Sequence, residues 1–310
     1  KEKAVAFDAS LNPVAPNPFI RHMYTADPSA HVWADGRLYV YASHDIAPPR
    51  GCDLMDRYHV FSTDDMVHWT DHGEILNSSQ VPWGRKEGGF MWAPDCAYKN
   101  GTYYFYFPHP SETNWDNSWK IGVATSCRPA EGFEVKGYIE GMDPLIDPCV
   151  FVDDNGQAYI YNGGGGICKG GKLKDNMMEL DGLMQPMEGL EDFHEATWVH
   201  KYNGKYYMLS SGCTGWDPNI AEIAVADSIM GTWKTIGNPC TGPDADKTFY
   251  AQSTYVQPVV GKKNAYIAMF DRWKKKDLED SRYVWLPVLV KDGKITIPWH
   301  EKWNLSIFDK

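Results

Sequence analysis

The feature that most constrains this chain is an internal repeat of strand pairs. Five segments share one pattern: a short polar or acidic opening, an alternating strand, a turn, then an aromatic-rich strand. Asp27-Pro28-Ser29 leads into HVWADGRLYVYAS, and Ala93-Pro94-Asp95 into CAYKNGTYYFYFP. Asp147-Pro148-Cys149 leads into VFVDDNGQAYIYNG, Glu195-Ala196-Thr197 into WVHKYNGKYYMLSS, and Gln252-Ser253-Thr254 into YVQPVVGKKNAYIAMF. Asp35-Gly36, Asn100-Gly101, Asn155-Gly156 and Asn203-Gly204 supply turn residues that tolerate positive φ. The fifth turn is looser, around Gly261 to Asn264. Flanking residues alternate with the period of strands rather than helices.

A second half-motif follows some of these pairs: FSTDDMVHWTDHGEI, VATSCRPAEGFEVKGYI and VADSIMGTWKTIG. Two successive hairpins make a four-stranded blade. The openings stand at 27, 95, 147, 195 and 252, so they are 68, 52, 48 and 57 residues apart. That spacing predicts an all-β fold, a five-bladed β-propeller around a central channel. No linker or composition break divides the chain, so residues 1–310 read as one domain. In a propeller the innermost strand of each blade lines the channel. Its start lies at one mouth, where five openings converge. Three of them carry an acid at the same register: Asp27, Asp147 and Glu195. One such acid alone reads as a turn Asp or a strand-edge Glu; three brought together by ring closure read as a working site.

Hydrolysis of a glycosidic bond needs a protonated acid on the leaving oxygen and a second carboxylate. Closely set carboxylates push one another's pKa values apart, so that one stays protonated near neutrality. A trio suits this task as base, acid, and a third group that tunes and orients the acid. Composition is compatible. Aromatics make up 14% of the chain, with 13 Trp and 18 Tyr, and sugar clefts use flat apolar faces as well as cores do. The net charge of -11 argues against nucleic acid. No stretch is long and apolar enough for a transmembrane helix.

The trio and the phrases Ala26-Asp27-Pro28-Ser29, Trp92-Ala93-Pro94-Asp95, Asp147-Pro148 and His194-Glu195-Ala196, the last followed by KYNGKYY, resemble glycoside hydrolase family 43. The resemblance runs from about Asn17 to the last blade. It implies an inverting mechanism with Asp27 as general base and Glu195 as general acid. Asp147 then raises the pKa of the acid and positions it. Relatives place a cation-binding His in the fifth blade, where this chain has Gln252. No cofactor is expected to be required, and a structural cation in the channel stays an open question. Asp271-Arg272-Trp273 and the run Ser281-Arg282-Tyr283-Val284-Trp285-Leu286-Pro287 resemble the arabinogalactan-active branches of the family.

Candidate substrate contacts are His44, Trp92, Trp216, Gln252, Arg272 and Arg282. Trp92 beside an opening reads equally as a sugar platform or as packing between blades. His44 reaches the mouth or caps a strand. Trp216 lies in the Gly- and Pro-rich loop SGCTGWDPN, where a large exposed aromatic suits a ligand. Arg272 and Arg282 read as donors to sugar hydroxyls or as structural partners of the acids. Gly166 to Lys172 fits GxxxxGK, but Leu173 stands where a phosphate loop needs Ser or Thr. His194-Glu195 opens like a zinc motif, but Trp198 occupies the second His position. Asp153-Asp154-Asn155-Gly156 reads as a hairpin turn rather than a calcium loop. Seven dispersed cysteines read as buried and inert.

The expected activity is exo-acting release of terminal L-arabinofuranose from a plant arabinogalactan-type polysaccharide. β-Xylosidase and exo-β-1,3-galactanase are the enzymatic alternatives, and a non-catalytic sugar-binding propeller is the other one. Invertase-type propellers are disfavoured, because Leu145-Ile146-Asp147-Pro148 stands where they carry Arg-Asp-Pro. The expected partner is carbohydrate, with no nucleic acid and no membrane span. The chain is expected to act as a monomer at a secreted, periplasmic or cell-surface location. An inverting site predicts carboxyl groups of Asp27 and Glu195 about 6.5–9.5 Å apart in a crystal structure with bound sugar. A separation near ~5 Å would mark a nucleophile instead.

Overall fold

Each repeat folds into an antiparallel hairpin because its turn residues take up the backbone the sequence reserves for them. Gly36, Gly101, Gly156 and Gly204 all have positive φ, as do Asn100 and Asn203 before two of them. The computed structural model describes residues 14–15, 24–45, 55–66, 68–112, 118–162, 168–190, 194–212, 221–242, 245, 252–272, 282–299 and 305–309. At residues 14–15, 24–27, 44–45, 194–197, 211–212, 252–255, 257, 269–272, 282–285 and 305–306 it describes the backbone only.

The first blade contains β2 (Tyr24–Val32), β3 (Leu38–Asp45), β4 (Arg57–Thr63) and β5 (Thr70–Asn77), paired in that order. β1 (Val14–Ala15) precedes it in the chain. The second blade is β6 (Asp95–Lys99), β7 (Thr102–Pro110), β8 (Trp119–Ser126) and β9 (Glu134–Tyr138). The third is β10 (Pro148–Val152), β11 (Ala158–Asn162), β12 (Lys169–Lys172) and β13 (Gln185–Pro186). The fourth is β14 (His194–Tyr202), β15 (Lys205–Gly212), β16 (Ala221–Ala226) and β17 (Lys234–Gly237). The fifth joins β18 (Cys240–Thr241) to β19 (Gln252–Pro258), β20 (Ala265–Arg272), β21 (Arg282–Lys291) and β22 (Lys294–Pro298). β1 also belongs to this last sheet, with Val14 opposite Val284 and Ala15 opposite Tyr283. The fold is a five-bladed β-propeller.

Alternation along the strands decides which neighbour each face meets. On β3, Leu38 and Val40 pack with Val259, Ala265 and Ile267 of the fifth blade. Their neighbours Tyr39 and Tyr41 point the other way, onto Cys96, Phe105 and Phe107 of the second. Tyr106 of β7 then faces Val150 and Ile160 of the third blade. Tyr161 faces Tyr206 and Met208 of the fourth, and Tyr207 and Leu209 face Val256 and Leu286 of the fifth. Five apolar cores thus sit between five pairs of blades. Both faces of a blade are buried, so strands such as TYYFYFP carry few charges. Truncating a fully buried core residue such as Leu38 to Ala costs about 2–5 kcal/mol.

The apparent phosphate-loop motif is part of a strand. Lys169–Lys172 forms β12, and a Cβ on Gly170 or Gly171 would press on the sulfurs of Met230, Met187 and Met184. The glycines are there to let methionines pack over the sheet. Asp153 to Gly156 is a hairpin turn, closed by the Gly156 amide donating to the Asp153 carbonyl at 2.9 Å. Among the described residues, Cys96, Cys168 and Cys240 are buried as expected, whereas Cys127 is exposed. It falls in the turn between β8 and β9, where no neighbouring blade covers it. Cys52 and Cys213, and the lysine run 274–276, lie outside the described residues. No described helix is long and apolar enough to cross a membrane.

Two buried histidines make stability acid-sensitive. His109 on β7 is fully buried, and neither ring nitrogen has a hydrogen-bond partner among the described residues. Burial, helped by the nearby Arg85 charge, lowers its pKa to about 4. Burial likewise lowers His200 to about 4, although its Nδ1 meets the Tyr266 hydroxyl at 2.9 Å. Both rings stay neutral in the folded protein while the unfolded chain takes up protons below its ordinary value near ~6.5. Their contribution is therefore present above about pH 6.5 and lost as pH falls toward about 4, on the order of 2–3 kcal/mol each. Melting temperature measured from pH 7.5 to 4.5 should fall, and His109→Gln should flatten that dependence. An unchanged slope in the variant would contradict the assignment.

Candidate active site

The site is built on the N-terminal ends of the innermost strands β2, β6, β10, β14 and β19. Three of these strands are bulged at that end. The pairing slips by one residue between Ala26 and Ser29 on β2, between Glu195 and Trp198 on β14, and between Ser253 and Tyr255 on β19. A bulge bends the strand and re-aims the side chains beside it. The three acids therefore do not share one ladder position, as the simple repeat suggests. Asp27 lies inside its bulge, Glu195 pairs with Ser211 just before its own, and Asp147 stands one residue ahead of β10. Asp147 itself takes the left-handed backbone, φ 53°, immediately before Pro148.

One carboxylate joins three of these strand ends. Asp95, at the start of β6, is 7% exposed. Its Oδ1 accepts from the Ser29 hydroxyl at 2.5 Å and from the Cys96 amide at 2.8 Å, and lies 2.8 Å from His31 Nε2. Its Oδ2 accepts from the Val150 amide at 2.7 Å. Blades one, two and three are thus tied together next to Asp27 and Asp147.

The loop before β6 is strapped to the first blade. The Ser43 hydroxyl donates to the Met91 carbonyl, and the Met91 amide donates to the Met55 carbonyl at 2.7 Å. The Tyr58 hydroxyl donates to the Trp92 carbonyl at 2.5 Å. Burial, reinforced by the nearby charge of Asp147, pushes the Tyr58 phenol well above its ordinary pKa. Tyr58, Trp92 and Asp147 are therefore neighbours at the mouth. The half-buried Trp92 ring packs on Trp119 at 4.7 Å between centroids and on Phe90 at 5.5 Å. The Arg85 guanidinium sits over Phe90 at 4.8 Å. Trp92 is held by aromatics of its own loop and blade, which fixes its orientation beside the opening.

The other candidates are placed by backbone register. His44 pairs with Thr25 on β2, two residues from Asp27. Gln252 pairs with Asp271, and Arg272 pairs with Arg282 on the next rung of the neighbouring ladder. These strand ends bring the Gln252, Arg272 and Arg282 backbones to one end of the fifth blade. The side chains of Asp27, His44, Glu195, Gln252, Arg272 and Arg282 lie outside the described residues, as does the whole of Trp216. No described group of three or more His, Cys, Asp or Glu residues is arranged to hold a metal ion. His194 and Glu195 lie on a strand rather than on the helix a zinc motif needs. Sequence reasoning missed Ser29, His31, Ser43 and Tyr58 and the role of Asp95. Ser29 and Asp95 stood inside the quoted openings, but only the tertiary contact shows what they do.

A five-bladed propeller with acids at these strand starts fits one class, the glycoside hydrolases. Comparison with known proteins narrows it. The profile of Glycosyl hydrolases family 43 matches residues 15–267, and the chain belongs to that family. A xylosidase/arabinosidase of Bacteroides ovatus is 34% identical, covering 67% of this chain and 75% of that protein. A β-xylosidase of Xylanibacter ruminicola is 31% identical, covering 77% and 81%. Among solved structures, a family 43 β-1,3-galactosidase with galactodeoxynojirimycin superposes with a TM-score of 0.76 at 26% identity, covering 97% of this chain and all of that one. A β-xylosidase/α-arabinofuranosidase from a compost microbial metagenome, with xylotriose, gives 0.73 at 28% identity, covering 95% and 99%.

Tyr58→Phe should test the strap. Removing the hydroxyl takes away one hydrogen bond to the Trp92 carbonyl, at a cost of about 0.5–1.5 kcal/mol. The expected outcome is a lower melting temperature together with a several-fold rise in KM, measured on the folded variant. Unchanged KM would show that the Trp92 loop does not shape the substrate site.

Proposed function

We propose that this chain is an inverting, exo-acting glycosidase that releases terminal L-arabinofuranose from plant polysaccharide side chains. Asp27 activates water as general base, Glu195 protonates the leaving oxygen, and Asp147 orients Glu195 and raises its pKa. The observation that supports the reading is the family 43 match to a five-bladed propeller in which residues 27, 147 and 195 each lie on, or one residue ahead of, the first strand of a blade. For the sugar, support comes from relatives named xylosidase/arabinosidase and from two named arabinoxylan arabinofuranohydrolase, in Paenibacillus polymyxa and Bacillus subtilis. Arabinogalactan remains our proposed polymer, on the resemblance of the fifth blade. A dual-specificity reading that includes terminal xylose is favoured by the relative named β-xylosidase. The same site takes carbohydrate as its partner and, with Gln252 in place of an imidazole, needs no metal for the proton transfers.

Arg272 and Arg282 stand opposite each other on one rung. Sugar hydroxyls and the acids of the mouth are the partners we propose for them.

Two experiments test this reading. A screen of chromogenic arabinofuranoside, xyloside and galactoside substrates should give its highest kcat/KM on the arabinofuranoside. Galactose as the first and only product from branched arabinogalactan would replace arabinose as the substrate, and a ladder of oligosaccharides would defeat the exo assignment. Glu195→Gln should lose most activity on natural polymer, about 10²–10⁴-fold, yet retain more on substrates with acidic leaving groups, which need less protonation. Equal losses on both would overturn the acid assignment. Asp27→Asn should be severe on both.

A further inference from the structure

We propose that Asp95 is a positioning residue that sets the separation of Asp27 and Asp147; this rests on the roles given to those two acids above. The geometry has the same form on both sides. Asp27 is followed by Pro28 and then Ser29, whose hydroxyl donates to Asp95 Oδ1. Asp147 is followed by Pro148, Cys149 and then Val150, whose amide donates to Asp95 Oδ2. Proline fixes φ, so each acid is joined to its anchor through a short, stiff link. The two oxygens of one carboxylate hold the two links.

Physical need for the clamp is clear at Asp147. A non-glycine residue with φ of 53° is strained, and the position before proline narrows its options further. Such a conformation persists only when its surroundings over-determine it. Val150 lies on the innermost strand of its blade, whose outward amide has no neighbouring strand of the same sheet. Asp95 satisfies that amide and pins the strand start in one act. On the other side, Ser29 is the first paired residue after the bulge that contains Asp27. His31 Nε2, at 2.9 Å from Ser29 Oγ and 2.8 Å from Asp95 Oδ1, closes the cluster. Its ring is stacked on Trp33 at 4.8 Å, so it too is held.

Asp95→Ala removes both carboxylate oxygens, so the Ser29 and Val150 anchors are both lost. In the folded variant, kcat should fall about 10- to 100-fold, the scale expected when a catalytic group is displaced by about 1 Å, with KM within about threefold. Hydrogen exchange at the Val150 amide should accelerate at least about tenfold. Ser29→Ala should lower kcat several-fold while leaving Val150 exchange unchanged. Ile223→Val, in the core of the fourth blade, should lower stability without this kcat loss. The proposal is overturned if kcat of Asp95→Ala stays within twofold of the parent, if KM carries the loss, or if Val150 exchange is unaltered. Should Asp95→Ala fail to fold, Ser29→Ala decides, and unchanged kcat there overturns the proposal. A parent chain that hydrolyses no glycoside would defeat the hydrolase reading instead, and Val150 exchange in Asp95→Ala would still judge the clamp.

Discussion

Everything at the mouth depends on closure of the ring. A blade has two apolar faces, and each must be buried against a neighbour. Four of the five cores join blades adjacent in sequence, and the fifth joins the first blade to the last. That last core, with Leu38, Val40 and Phe61 against Val259 and Ile267, joins residues farther apart in sequence than any of the other four. The pairing of β1 with β21 adds backbone hydrogen bonds to the same closure. Without it the openings would not converge, and residues 27, 147 and 195 would be three unrelated strand ends. The hydrophobic effect between blades thus supplies the geometry, while a few hydrogen bonds at the mouth refine it.

Those hydrogen bonds trade freedom for placement. Asp147 and Phe90 both adopt positive φ near the mouth. Strain of this kind collects at functional sites when the surrounding contacts hold it in place. Here the holding contacts are hydroxyls from the first blade, Ser29, Ser43 and Tyr58, each donating to the second. The interface between these blades therefore carries both an aromatic core and the polar straps of the site. The aromatic richness of the chain reflects this double use, with Trp92 anchored by Trp119 on one hand and by Tyr58 through its carbonyl on the other.

Much of the architecture could be read from the chain because it is local. Asn-Gly and Asp-Gly turns dictate hairpins, and period-two alternation with few charges dictates strands buried on both faces. Five such units leave little choice but a closed ring. The outer strands of the third blade were not legible, since KGGK carries no apolar alternation and folds as β12 only because methionines cover its glycines. The bulges were not legible either: nothing in Ala26-Asp27-Pro28-Ser29 or Glu195-Ala196-Thr197-Trp198 announces a slipped register, which depends on the partner strand. Asp95 looked like one more opening residue, because its meaning lies in contacts 66 and 55 residues away in sequence. Exposed Cys127 shows the opposite failure, where composition suggested burial and a turn between outer strands left the thiol uncovered.

The central claim is that water, activated by one acid at the mouth, attacks the sugar directly while another acid protonates the leaving group. That chemistry reverses the anomeric configuration, whereas a covalent glycosyl-enzyme intermediate retains it. Proton NMR of the first turnover, on the glycoside the chain cleaves fastest, reports the anomer before mutarotation scrambles it. The expected first-formed free sugar has the configuration opposite to that of the substrate. A first product of retained configuration would contradict it and would turn one of the three acids into a nucleophile.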